Sequence, residues 1–228
     1  MIIHDCVQGT SEWLYLRAGI PTASSFDRIL TPSGRVSQSA EKYMYELLAE
    51  RIMRHPIQQF TSSWMERGSD MELEAVRGYE FQYDIDTVPV GFITDDAHRI
   101  GASPDRLVGD NGLLEIKVPS EGIHVSYLLK SGTAYEAYKI QCQGQLWVSE
   151  REWVDILSYH PEIPEALIRI ERDEKLIQVL EKLVRAFSIE LERLYAVVQE
   201  RGWVKEQVAA EVNIVDAMKA SLIEIGKM

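Results

Sequence analysis

Cysteine is scarce in this chain of 228 residues, which contains only Cys6 and Cys142. Two thiols make neither a disulfide framework nor a zinc site, and both read as buried free thiols. Long hydrophobic runs are missing too. The apolar stretches fall well short of the roughly 20 residues of a membrane-spanning helix. The opening Met1-Ile2-Ile3-His4-Asp5 lacks the basic start and apolar core of a secretory leader. A cytoplasmic protein without membrane association is therefore expected. No Pro/Gly/Ser-rich linker, internal repeat or low-complexity tract divides the chain, which predicts one domain over residues 1–228. The five histidines, His4, His55, His98, His124 and His160, form no HxxxH pair, and no GK[ST] follows Gly101. Zinc chemistry and a Walker-type phosphate loop are thereby disfavoured.

Positive charge is the last shortage: 24 Lys and Arg stand against 36 Asp and Glu, for a net charge of -12. Nucleic acid usually selects a basic surface. The deficit is uneven, however, since residues 61–120 carry 5 basic and 12 acidic side chains whereas residues 1–60 carry 6 of each. Such an acidic centre is either a solvated face or the setting of a divalent-cation site.

The densest chemistry lies in ASPDRLVGDNGLLEIKVP, where Ala102-Ser103-Pro104-Asp105 precedes Glu115-Ile116-Lys117. LLEIKV is apolar around Glu115 and Lys117, as in a mostly buried strand. GDNG is strong turn chemistry, so the segment predicts two short strands folded back on one another. Asp105 and Glu115 can then meet. Residues two apart in a strand share a face, which sets Glu115 beside Lys117 and turns Ile116 toward the other layer. Buried charges need partners. The cluster is either a salt bridge at a sheet edge or a hard-cation site whose lysine steers a water or a phosphate. Chance alone produces this spacing in about one chain of this length in twenty, so the motif by itself leaves both open.

Around it, TSEWLYLRAG predicts a short helix capped by Thr10 or Ser11 and ended at Gly19, and Pro21 opens a second that stops at Thr31-Pro32-Ser33-Gly34. Helical spacing of Tyr43, Leu47, Leu48 and Ile52 predicts a helix over residues 39–54. The capping box Ser63-Trp64-Met65-Glu66 predicts another from Trp64 to Tyr79. DTVPVGFIT, HRIGASPDRLVG and GLLEIKVP read as a three-strand meander. Helices over 121–130 and 135–149, strands EWVDILSYH and EALIRIERD, and amphipathic helices over 174–200 and 204–225 complete the pattern. This order implies an α/β or α+β fold with a central mixed sheet covered on both faces.

Other polar residues carry two readings each. Glu72 lies mid-helix, where most glutamates are simply solvated. Gln141 and Gln143 interrupt an apolar helix and could be satisfied core amides. The helix start at Thr22-Ala23-Ser24-Ser25, with Arg17 close by, suits an anion or an ordinary cap.

Taken together, QGTSEWLYLRAGIPTASSF, RGSDMELEAV, ASPDRLV, LEIKVP and KIQCQGQLWV resemble, in order, the lambda-exonuclease type (YqaJ-like) of viral recombinases. The likeness covers roughly residues 8–148, and the remainder has no distinctive motif. It implies a restriction-endonuclease-like core of the PD-(D/E)xK superfamily. The implied activity is a Mg²⁺-dependent exonuclease on double-stranded DNA, with two ions for which Mn²⁺ can substitute. Such enzymes degrade one strand from its 5′ end, release mononucleotides, and leave a 3′ tail for a single-strand annealing protein. They act as homotrimeric rings in phage or prophage recombination within the bacterial host, and a ring can gather basic residues in its channel while its rim stays acidic.

Carried over residue by residue, the resemblance implies that Asp105, Glu115 and the Ile116 carbonyl hold metal and that Lys117 orients or deprotonates the attacking water. Glu72 and Gln141 complete the catalytic set, and Arg17, Ser24 and Ser103 cradle the terminal 5′-phosphate. The helix opening MERGSDMELE departs from the family's pattern, and Met65, or its neighbour Trp64, is the expected strand-separating wedge. Pro21 narrows the backbone freedom of the phosphate segment. An endonuclease or repair nuclease of the same core is the alternative. From another class, a catalytically silent DNA-binding module is disfavoured by the intact Asp105, Glu115 and Lys117.

Overall fold

The computed structural model describes residues 1–57, 63–130 and 132–204, with residues 63–70 defined by backbone alone. The helix expected over 204–225 lies outside the described residues. The chain runs through β1 (Ile2–His4), α1 (Ser11–Arg17), a 3-10 helix (Ala23–Arg28) and α2 (Ala40–Met53). Next come α3 (Ser63–Tyr83) and five short strands: β2 (Thr87–Pro89), β3 (Phe92–Thr94), β4 (Gly101–Ala102), β5 (Arg106–Val108) and β6 (Gly112–Lys117). Two helices, α4 (Glu121–Leu129) and α5 (Gly132–Ser149), lead to β7 (Trp153–His160), β8 (Ile163–Glu171) and α6 (Glu174–Glu200).

The expected meander is not formed. Its first two strands each break in two, and the halves enter different sheets: β1-β3-β4 in one, β2-β5-β6-β7-β8 in the other. Prolines mark the breaks. Pro89 ends β2 and Pro104 lies between β4 and β5, where a residue without an N–H cannot continue a ladder. β1 has no counterpart in the sequence reading, because three residues are too few for alternation to show. The segment opened by Pro21 is a 3-10 helix rather than an α-helix.

In the larger sheet β6 and β7 run parallel while the other pairs are antiparallel. A parallel return needs a crossover, and α4 with α5 supply it. The alternation of β6 then divides two layers. Leu114 and Ile116 pack with Ala75, Val76 and Tyr79 of α3, whereas Leu113 faces Cys142 and Leu146 of α5. Helices thus cover both faces of a mixed sheet. Each buried leucine or isoleucine in these layers contributes about 1.5–3 kcal/mol.

One contact on each layer fixes the helices that flank β6. The Tyr79 hydroxyl donates to Asp155 Oδ2 at 2.7 Å, and Asp155, buried on β7, also accepts both arms of Arg169 at 2.8 Å. That ties α3 to the sheet seven residues after Glu72, on the same helical face. On the other layer, Gly144 of α5 presses against the 3-10 helix. A Cβ there would come within 2.5 Å of the Phe26 ring and 3.2 Å of Ala23, so only glycine allows the approach.

Candidate active site

The β5–β6 hairpin turns through Gly109, whose φ of 52° lies in the left-handed region. Its register pairs Arg106 with Leu114, so Asp105 and Glu115 stand next along the two strands. The Ile116 N–H donates to Asp105 Oδ2 at 2.6 Å, and a carboxylate takes the place of a ladder carbonyl. Glu115 is 3% exposed, which for a carboxylate demands full pairing. Lys117 Nζ donates to Glu115 Oε1 at 2.6 Å and to Gln141 Oε1 at 3.4 Å, and it lies 4.6 Å above the Tyr138 ring. The shared face of Glu115 and Lys117 is the one expected from strand alternation.

Helix α5 meets this pair with amides. Gln141 Nε2 donates to Glu115 Oε1 at 2.5 Å and Gln145 Nε2 to Oε2 at 2.6 Å. Gln143 instead donates to the Glu171 carbonyl and accepts from the Asp173 N–H, both at 2.9 Å, as a core amide holding β8 to α6. Sequence reasoning missed Gln145, although its spacing of four from Gln141 is a readable signal. It also missed Gln8 as a site residue. Gln8 Nε2 bridges the carbonyls of Val90 and Pro104 at 2.8 Å each, and so fixes the backbone just before Asp105.

Glu72, on α3, stands close enough to Asp105 for the two carboxyls to influence one another. Burial first, then the charges of Glu115 and Glu72, push the Asp105 carboxyl well above the usual carboxylate range. Burial also raises Glu72, against the opposing influence of Asp105. For Lys117, burial pulls the ammonium down, but the Glu115 charge and hydrogen bond, with Asp105 behind, outweigh it and raise the pKa. Lys117 is thus an ammonium in this arrangement, not a free base. Among the described residues no three Asp, Glu, His or Cys side chains are spaced as a formed ligand cage. The donor chemistry nonetheless fits a hard cation. Three carboxylates face one ammonium, a donor set short of positive charge.

A second cluster lies beside the first. Arg17 Nη1 donates to Ser103 Oγ at 2.9 Å, and Nη2 to Ser24 Oγ at 3.2 Å and Thr22 Oγ1 at 3.4 Å. Trp13 stacks under the guanidinium at 4.1 Å and donates its indole N–H to Ser103 Oγ at 3.0 Å. With both lone pairs of Ser103 Oγ taken, its own O–H is left to donate outward. The segment carrying Thr22 and Ser24 is stitched to β4 by the Gly101 N–H to the Pro21 carbonyl, 3.0 Å. Burial pulls the Arg17 pKa down to about 10, against the pull of Tyr43, Glu50 and Glu115. Hence Arg17 lies within the electrostatic reach of Glu115. Its hydrogen bonds run to hydroxyls, so its charge is available to an anion. The wedge expected at Met65 or Trp64 falls on side chains outside the described residues.

A mixed sheet covered on both faces, with Asp105, Glu115 and Lys117 gathered on one hairpin, is the layout expected of a restriction-endonuclease-like core. The YqaJ-like viral recombinase domain matches residues 12–152, and the chain belongs to that family. An alkaline exonuclease, LHK-Exo from Laribacter hongkongensis, is similar at 33% identity and a TM-score of 0.75, over 85% of this chain and 98% of that one. LHK-Exo in complex with dAMP matches at 34% identity and 0.76, with the same coverage. A phage-related exonuclease from Haemophilus somnus 129PT, 15% identical over 78% of this chain and 96% of its own, shares the fold at a TM-score of 0.61. No curated protein matches the sequence at a significant level.

Proposed function

We propose that this protein is a DNA exonuclease that degrades one strand of duplex DNA from its 5′ end, processively and with divalent metal. It releases 5′-mononucleotides and leaves a 3′ tail for an annealing protein in recombination. The observation that carries the reading is the pairing of the Glu72–Asp105–Glu115–Lys117 cluster with the Arg17–Ser24–Ser103 cradle, whose Ser103 stands two residues before Asp105. The likeness to LHK-Exo, named as an alkaline exonuclease and solved with dAMP, supports it.

In this reading Asp105, Glu115 and the Ile116 carbonyl hold two Mg²⁺ ions, with Mn²⁺ as substitute, and Glu72 and Gln141 complete the site. Bound there, the ions would supply Lewis-acid activation of the phosphodiester and of the attacking water. Lys117 offers its ammonium to the charge that develops on the phosphate oxygens, and Gln141 bonds both Lys117 and Glu115. Arg17, Ser24 and Ser103 take the terminal 5′-phosphate, which sets the next scissile bond in register with the carboxylates.

A linear duplex phosphorylated at one 5′ end, incubated with protein and Mg²⁺, should lose that strand to mononucleotides while its complement persists. Equal loss of both strands, or an Asp105→Ala variant as active as the wild type, would sink the proposal. A closed circular duplex separates it from an endonuclease of the same core, since an obligate exonuclease leaves the circle intact.

A further inference from the structure

We propose that Gln145 is a positioning residue for Glu115: it fixes the carboxylate plane so that the one lone pair left to a divalent cation lies on Oε2. The inference rests on the nuclease reading above. A carboxylate offers about four lone-pair positions, two on each oxygen. Glu115 Oε1 uses both, on Lys117 Nζ at 2.6 Å and Gln141 Nε2 at 2.5 Å. Oε2 uses one, on Gln145 Nε2 at 2.6 Å. A cation that engages Glu115 therefore meets Oε2, and Gln145 is the group that holds Oε2 in place.

Gln145 itself bears the mark of a residue kept for its donor. It is 1% exposed, and its own Oε1 has no hydrogen-bond partner. An acceptor buried in that state costs stability; a methionine of similar length would spare that cost but leave Glu115 Oε2 without its donor. The amide N–H on Glu115 is what the position uses. The helix geometry agrees. Gln141 and Gln145 are four apart, one turn above another on the face toward β6, and they grip the two oxygens of the same carboxylate. Gln143, between them, turns to Glu171 and Asp173 and takes no part.

The test uses Q145M, with Q143M as a control on the same helix, and calorimetric titration of the DNA-free protein with Mn²⁺. Partners of metal ligands typically contribute 10- to 100-fold in affinity. Q145M should therefore bind Mn²⁺ roughly 10- to 100-fold more weakly. Q143M should lower Tm and leave the Mn²⁺ Kd unchanged. A Q145M protein with wild-type Mn²⁺ affinity, or a Q143M protein that loses as much, overturns the assignment. If the wild type itself takes up no Mn²⁺, the metal reading of the site fails, and a crystal structure of metal-free Q145M decides the positioning role. A Glu115 carboxylate rotated away from its wild-type plane supports that role, and one still seated on Lys117 and Gln141 in that plane refutes it.

Discussion

Burial and two neighbouring carboxylates push the Asp105 carboxyl well above the usual carboxylate range, against its bond from the Ile116 N–H and the reach of Lys117. This has a sign. A carboxyl raised in the folded state binds more protons there than in the unfolded chain wherever the pH lies between the unfolded and folded values. Stability of the metal-free protein therefore falls as pH rises through that window. Asp105→Asn removes the titration. Its metal-free Tm should exceed that of the wild type at pH 8, the two should converge near pH 4, and its nuclease activity should be lost. A thermal scan at the two pH values checks this. Arg17, whose hydrogen bonds run to three hydroxyls, has the opposite need, for an anion. Charge-assisted hydrogen bonds contribute about 1.5–3 kcal/mol. Arg17→Ala should accordingly reduce the preference for 5′-phosphate over 5′-hydroxyl ends by on the order of 10- to 100-fold, measured on matched end-labelled duplexes. At this scale the hairpin residues were legible because a strand period of two fixes which side chains share a face. Glu72, Arg17 and Gln141 were placed by resemblance instead, since the sequence pattern alone leaves them as a solvated glutamate, a neighbour of a helix cap and a core amide. Gln8 escaped, because a glutamine bridging two distant carbonyls leaves no local pattern.

At the scale of elements, the longer helices were read to within a few residues, since α2, α3 and α6 each repeat their apolar face over three turns or more. The strands between residues 86 and 108 were not. Strands of two or three residues owe their sheet to tertiary contacts that no local window contains, and Pro89 and Pro104 divided what read as continuous runs. The junction of α5 with the 3-10 helix shows what such contacts hold. One side of the α5 chain carries Gln141 and Gln145, while Gly144 lets the segment with Ser24 lie close. Gly144→Ala forces a methyl into the Phe26 ring, and overpacking of this kind costs about 1–3 kcal/mol. Chemical denaturation should show that loss. The same variant should use 5′-phosphorylated ends less efficiently, because the cradle is displaced from the carboxylates.

For the whole molecule, a net charge of -12 must be reconciled with a polyanionic substrate. The homotrimeric ring implied by the family resemblance would do so by turning basic side chains inward, and multi-angle light scattering should then give three times the 26.1 kDa chain mass. A monomer at micromolar concentration would remove that explanation. No described helix is long and apolar enough to cross a membrane. The spacing along α5 also governs how the chain can change length over generations. Helical residues advance by roughly 100° each, so one residue inserted between Gln141 and Gln145 carries the second amide off Glu115 and brings an apolar neighbour onto it. A residue added to the turn at Gly109–Asn111 disturbs the bonds these residues make to Arg151 and Glu152 but lies outside the pairing of Asp105 with Glu115. Insertions and deletions inherited by descendants of this sequence should accumulate at that turn and be purged from the middle of α5.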